Sequence, residues 1–166
     1  MAELASAARR KYRLSDLSLG QLVGVHPKLV AMVRQAIRLT EQDFRVTDGI
    51  RTPAKQRRLV AAGTSWTLRS KHLVQPDGFG HAVDLVPWVA GELNWSWQHC
   101  YKVAAAMSLA AYTQGVEIRW GGVWDLPMSA NWRSAKDLQH AVEGYVGRRR
   151  QAGGRAAIDG VHFELF

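Results

Sequence analysis

The sequence is poor in cysteine, in acidic residues and in long apolar runs. Its single cysteine, Cys100, cannot close an internal disulfide. It falls on the apolar side of a predicted helix, where it reads as a small buried side chain rather than a catalytic thiol. With no disulfide framework, synthesis in a reducing cytoplasm is expected. No stretch approaches the roughly 20 apolar residues of a membrane span. The first ten residues carry no uninterrupted apolar segment behind a basic start, so no signal peptide is expected. A protein of this kind that acts outside the cytoplasm needs another agent to let it out. There is no internal repeat and no linker long enough to separate domains, so one domain over 1–166 is expected, with 1–16 as a loose basic arm or short helix.

Acidic residues number 14 against 22 lysines and arginines, for a net charge of +8 and a pI near 10.1. Such a surface attracts nucleic acid, anionic membranes or acidic cell-wall polymers, and charge alone does not choose among them. The basic residues gather at Arg9, Arg10, Lys11 and Arg13 and again at Arg148, Arg149, Arg150 and Arg155. A solvated surface that keeps the protein soluble explains them equally well. The content is otherwise that of an ordinary globular protein, 47% hydrophobic and 22% charged, and long enough to bury a core.

Hydrophobic spacing alternates helices with a few short strands. Pro27 opens a helix whose apolar positions are Leu29, Val33, Ala36 and Ile37. Residues 44–47 read as a strand stopped by Asp48-Gly49. Thr52-Pro53 starts a helix of about 53–62, and 64–80 is a loop. Residues 82–86 form a strand closed by Pro87. Ser96 caps a long helix that ends at Gly115, followed by a strand at 117–120. Ser134 and Asp137 resemble a capping box, 148–157 reads as a basic loop, and 161–165 is a terminal strand. These elements predict an α+β fold with a small, largely antiparallel sheet and flanking helices.

Two clusters carry chemistry: Ser70-Lys71-His72 with Gly80-His81-Ala82-Val83-Asp84, and Asp159-Gly160-Val161-His162-Phe163-Glu164. Hydrolytic zinc commonly takes three ligands from His and carboxylate side chains and keeps one position for water. His72, Asp84 and His162 supply that set. His81 is a rival to His72, but residues three apart in a strand point to opposite faces, so His81 and Asp84 diverge while loop-borne His72 can reach Asp84. A general base also belongs within hydrogen-bond reach of the water. Asp159, across a turn from His162, and Glu164, two residues beyond it in a strand, both qualify on spacing.

These motifs resemble the zinc D-alanyl-D-alanine carboxypeptidase family, and within it the phage endolysins with L-alanyl-D-glutamate endopeptidase activity. Three further stretches agree in order: Gly49-Ile50-Arg51-Thr52 with Gln56, Trp120-Gly121-Gly122 with Trp124, and the closing strand at the C-terminus. The likeness runs from about Pro27 to Phe166. It implies zinc on His72, Asp84 and His162, Asp159 as base in preference to Glu164, and Arg51 on the substrate carbonyl. It also implies substrate contacts from Gln56, Ser70 and Trp120, with Trp124 beside Trp120 as cleft wall. The implied substrate is the peptide stem of peptidoglycan, cut between L-Ala and D-Glu. The implied setting is host lysis by a monomer that waits in the cytoplasm until a holin opens the membrane, with no stable nucleic-acid or membrane partner.

Two departures stand out. Residues 74–79 lengthen the usual stretch between the first histidine and the aspartate, and would let Asp77 approach the metal. The acidic stretch linked to calcium control in some phage relatives is replaced by a basic one, so calcium control is not expected. Two other readings compete: a carboxypeptidase acting on terminal D-Ala-D-Ala, and a non-enzymatic basic module that binds cell-wall polymer or nucleic acid.

Overall fold

The computed structural model describes residues 11–128 and 130–166. In chain order the elements are α1 (Asp16–Gln21), α2 (Pro27–Leu39), β1 (Phe44–Asp48), α3 (Pro53–Ala61), β2 (Ala82–Val89), β3 (Glu92–Leu93), α4 (Trp97–Gln114), β4 (Ile118–Trp120), α5 (Ala135–Gln151) and β5 (His162–Leu165). The sheet runs β1-β2-β5-β4, antiparallel throughout, with β3 folded back on β2. This is the expected α+β architecture. No helix among the described residues is long and apolar enough to cross a membrane.

The core lies where the long helices meet the sheet. Leu29, Met32 and Val33 of α2, Val103 and Met107 of α4, and Leu138 and Val142 of α5 are buried there with Phe44, Leu85 and Phe163. Burying this apolar surface is the main drive for the fold. Alternation along the central strands then decides where the chemistry goes. Val83, Leu85 and Phe163 enter the core, so Asp84, His162 and Glu164 face the other way. Asp84 and His162 are direct cross-strand partners, and Asp48 of β1 also pairs with Asp84. The antiparallel register brings residues far apart in sequence into one site.

Several boundaries differ from the sequence reading. Pro87 does not end its strand, because β2 continues to Val89. Leu85 donates to Val161 on the β5 side and Trp88 donates to Asp43 on the β1 side. The Pro87 carbonyl still accepts from Asn94 N at 2.9 Å where β3 folds back, so the strand continues through the proline although its ring supplies no N–H to that pair. The basic segment 148–157 is not all loop, since α5 runs to Gln151. Arg148, Arg149 and Arg150 sit in the last turn, where the helix dipole favours cations, and Arg148 pairs with Asp125 at 2.8 Å. The helix α1 and the short strand β3 were not anticipated. Of the expected basic arm, residues 1–10 lie outside the described residues.

Other local signals hold. The side chain of His26 caps α2, Thr52 caps α3, and Ser134 with Asp137 makes a complete capping box on α5. Gly115 ends α4 in the left-handed conformation. Cys100 is buried, and burial pushes its thiol up to about 12, as befits an inert packing residue.

Candidate active site

His72, Asp84 and His162 converge on one point. His72 Nε2, His162 Nδ1 and Asp84 Oδ1 form a triangle with every edge 3.2 Å. Three tetrahedral ligands at roughly 2.0–2.1 Å from a zinc ion stand roughly 3.3 Å apart, so the triangle has the size a metal needs. His72 comes from the 64–80 loop, Asp84 from near the start of β2 and His162 from the start of β5.

The outer nitrogens of both imidazoles are fixed in the sense that ligation requires. His72 Nδ1 lies 2.6 Å from the Gly49 carbonyl, which can only accept, so Nδ1 carries the proton and Nε2 keeps its lone pair. His162 Nε2 donates to Glu164 Oε2 at 3.0 Å, which likewise leaves Nδ1 for the metal. Glu164 is held in turn by Arg119 at 3.1 Å. Without a metal, burial opposes a charge on His162, but hydrogen bonds to Asp84 and Glu164 overcome it and push the imidazole up to about 9. Burial would raise Asp84, yet its bonds to the two histidines hold it well below the usual carboxylate range.

Asp159 and Arg51 flank the triangle. Both line a cleft with Ser65, Trp66, Ser70 and Trp124. Asp159 sits above its ordinary pKa, first because it is buried and second because Asp84 is close by. Its loop is drawn tightly against the Trp-Gly-Gly segment: Asp159 N donates to Gly121 O at 2.8 Å, and a Cβ on Gly121 would collide with the Asp159 carbonyl. Arg51 is clamped by Asp48 through Nε, Gln56 at 3.2 Å through Nη1 and Asp84 Oδ2 at 2.8 Å through Nη2. Its remaining N–H groups are available to a ligand in the cleft.

Some sequence assignments need correction. Trp120 is fully buried, stacked on Phe163 and hydrogen-bonded to the Gly160 carbonyl at 2.9 Å, so it offers no surface to a substrate. Trp124 is the neighbour that reaches the cleft, edge-on to Trp66 at 5.7 Å. Its Nε1–H has no hydrogen-bond partner among the described residues. Gln56 is also buried; its amide nitrogen donates to Ser65 and Thr67 and its oxygen accepts from Arg51. It positions Arg51 and is not exposed to a ligand. Ser70 lines the cleft, but its hydroxyl accepts from His72 N at 3.1 Å and shapes the ligand loop.

Asp77 does not approach the triangle. It pairs with His81 at 2.7 Å and lies 3.8 Å from His26. His81 is thereby occupied away from Asp84, as strand alternation requires. Four supporting groups escaped the sequence reading: Asp48, Arg119, Trp66 and the Gly49 carbonyl. Of these, Asp48 alone carried a signal, since it precedes Arg51 by three residues in the same motif.

The family described as phage L-alanyl-D-glutamate peptidase matches residues 10–143. The chain is 29% identical over 158 residues to the L-alanyl-D-glutamate peptidase of Escherichia phage T5, covering 93% of this chain and 98% of that protein. The solved structure of the Serratia marcescens L-Ala D-Glu endopeptidase ChiX superposes with a TM-score of 0.67 at 34% identity, over 93% of this chain and 90% of that one.

Proposed function

This chain belongs to the phage L-alanyl-D-glutamate peptidase family, and we propose from that premise that it is a zinc endopeptidase that cleaves the L-Ala–D-Glu amide in the peptide stems of peptidoglycan. The observation that carries the reading is the equal-sided triangle of His72, Asp84 and His162, with an acceptor behind each imidazole and a carboxylate of raised pKa beside it.

The donor set, two imidazoles and one carboxylate, suits zinc with a position left open. Zinc bound there polarises the scissile carbonyl and acidifies the attacking water. The protein's own groups do the rest. Asp159 accepts the proton from the water as its oxygen adds to the carbonyl carbon of L-Ala. The raised pKa of Asp159 fits a group that must take a proton and later release it. Arg51, rigid between Asp48, Gln56 and Asp84, directs its free N–H groups at the charge growing on the carbonyl oxygen. The carbon–nitrogen bond then breaks, and Asp159 returns the proton to the amine of D-Glu. Trp66 and Trp124 form the apolar wall against which the stem lies.

The proposed setting is lysis of a bacterial host by a monomer. The protein accumulates in the host cytoplasm, a holin opens the membrane, and net charge +8 favours approach to an anionic envelope. Family membership supports that setting. The deciding experiment is mass analysis of fragments from purified peptidoglycan. Products with a free D-Glu amine and a terminal L-Ala carboxyl are expected. Release of terminal D-Ala alone would replace the endopeptidase with a carboxypeptidase.

A further inference from the structure

A second His–Asp–His group lies outside the cleft. His26, Asp77 and His81 each present one donor atom to a common point, all within 4.8 Å of one another. His81 Nε2 is 2.7 Å from Asp77 Oδ2, His26 Nε2 is 3.8 Å from the same oxygen, and the two imidazoles meet edge to face at 5.2 Å. Asp77 lies in the 74–79 stretch of the loop between His72 and β2.

The three residues ride on a pinned frame. His26 N donates to the Gly80 carbonyl at 2.8 Å, Gly80 N donates to Gly24 at 3.0 Å, and His81 N donates to Lys71 at 2.7 Å. The loop carrying Asp77 is closed by Gln75 N on the Phe79 carbonyl at 2.8 Å and by Phe79 N on Asp77 Oδ1 at 3.1 Å. Phe79 packs edge-on against His26 at 5.6 Å. Little backbone movement separates these donors from ligating distance.

We propose that His26, Asp77 and His81 form a second, weaker divalent-metal site. Two imidazoles and a carboxylate select a borderline ion such as zinc, nickel or copper over calcium or magnesium. Partial exposure of all three side chains lets water complete the coordination. The weakness has a structural cause. His26 Nδ1 accepts from Lys28 N at 3.2 Å, so in the metal-free protein the proton sits on Nε2, the atom that would ligate. A metal must displace that proton and disturb the cap of α2. Occupancy ties 74–79 to the start of α2 and, through His81 N on Lys71 O, to the loop that carries His72.

The test is equilibrium dialysis of the full chain against rising free zinc, with metal analysis and histidine-ring NMR. Wild type is expected to saturate at about two zinc ions per chain, in a tight and a weak step. His81→Gln and Asp77→Asn are each expected to lose the weak step alone, and His72→Gln the tight step alone. Ring signals of His26 and His81 are expected to move only in the weak step. Saturation of wild type without a weak step overturns the proposal. So does a weak step that survives both His81→Gln and Asp77→Asn, which would assign it to the remaining surface histidines His99 and His140. Absence of the tight step in wild type, with the weak step present, would overturn the zinc reading of the cleft and leave this site standing.

Discussion

The molecule holds two groups of identical donor chemistry, and they differ in everything around the donors. In His72, Asp84 and His162 the side chains are 1%, 13% and 10% exposed; in His26, Asp77 and His81 they are 22%, 41% and 19% exposed. Behind each inner imidazole stands an acceptor, the Gly49 carbonyl or the Glu164 carboxylate. Behind His26 stands a donor, the Lys28 N–H. An acceptor fixes the tautomer that ligates and makes the imidazole more basic, whereas a donor fixes the opposite one. The inner group also has Asp159 and Arg51 beside it, turned to the same cleft. The comparison teaches that a ligand set read from residue types says what could bind, while the surrounding hydrogen bonds and neighbours decide how tightly and for what chemistry.

The comparison breaks most completely at the ligands. His72→Ala, Asp84→Ala or His162→Ala is expected to abolish tight metal binding and hydrolysis together, while His81→Ala keeps both. Metal content and fragment release from peptidoglycan, measured on the same preparations, check this. Full metal occupancy in two of the three inner variants would remove the assignment.

The base is the next largest effect. Asp159→Asn keeps the volume and the metal but cannot take a proton, so turnover is expected to fall by roughly 10²–10⁴-fold. Glu164→Gln is expected to stay active at saturating metal. Its effect belongs to metal affinity, a loss of roughly 10–100-fold as an amide replaces the carboxylate behind His162. If Glu164→Gln is inactive with metal bound and Asp159→Asn is active, the base is Glu164.

Arg51→Ala is expected to retain the metal and lose roughly 10²–10³-fold in kcat, comparable to losing one oxyanion donor. Arg51→Lys recovers only part of it, because one ammonium cannot answer Asp48, Gln56 and Asp84 in a planar fork. Single-turnover rates at saturating substrate separate this from a binding defect, and near-normal turnover in Arg51→Ala would take it out of the mechanism.

The sequence made the α+β class and most helix caps legible because caps, apolar spacing and turn glycines are local signals. Residue types and spacing also singled out His72, Asp84, His162 and Asp159, and the motifs' resemblance to a known family added Arg51 to them. What it could not show depends on which strand lies beside which. Trp120 looked like a cleft wall because it sits in a motif with Trp124, yet in β4 it pairs with Phe163 and turns into the core. Gln56 looked like a ligand contact because it follows Arg51 by one helical turn, yet Ser65 and Thr67 close over it. Asp77 looked free to reach the metal, but it pairs with His81 and lies beside His26 instead. Pro87 looked like a stop because proline costs a ladder bond, yet β3 folds back on β2 and Asn94 N donates to the Pro87 carbonyl, which carries the strand past it.

The smallest expected effect lies in the pH dependence of the metal-free protein, and it tests whether the inner group is held together by protons when no metal is present. The imidazole of His162 is pushed up to about 9 in the fold, against an ordinary value near 6.5. A raised imidazole contributes stability that is fully present below the unfolded value and is lost as pH rises through the folded one. The metal-free protein should therefore lose stability between about pH 6.5 and pH 9. Asp84 and Glu164 shift the other way, so their contribution is present above ordinary carboxylate values and is lost as pH falls below them. Metal replaces the proton on His162, so metal affinity should strengthen across the same rise from about 6.5 to 9. Thermal unfolding of chelator-treated protein across this range reads the first effect, and zinc titration at each pH reads the second. A His81→Gln variant should follow the same two curves as wild type in the tight step. A curve that flattens in His81→Gln and persists in Glu164→Gln would mean that the proton-linked group is the outer one.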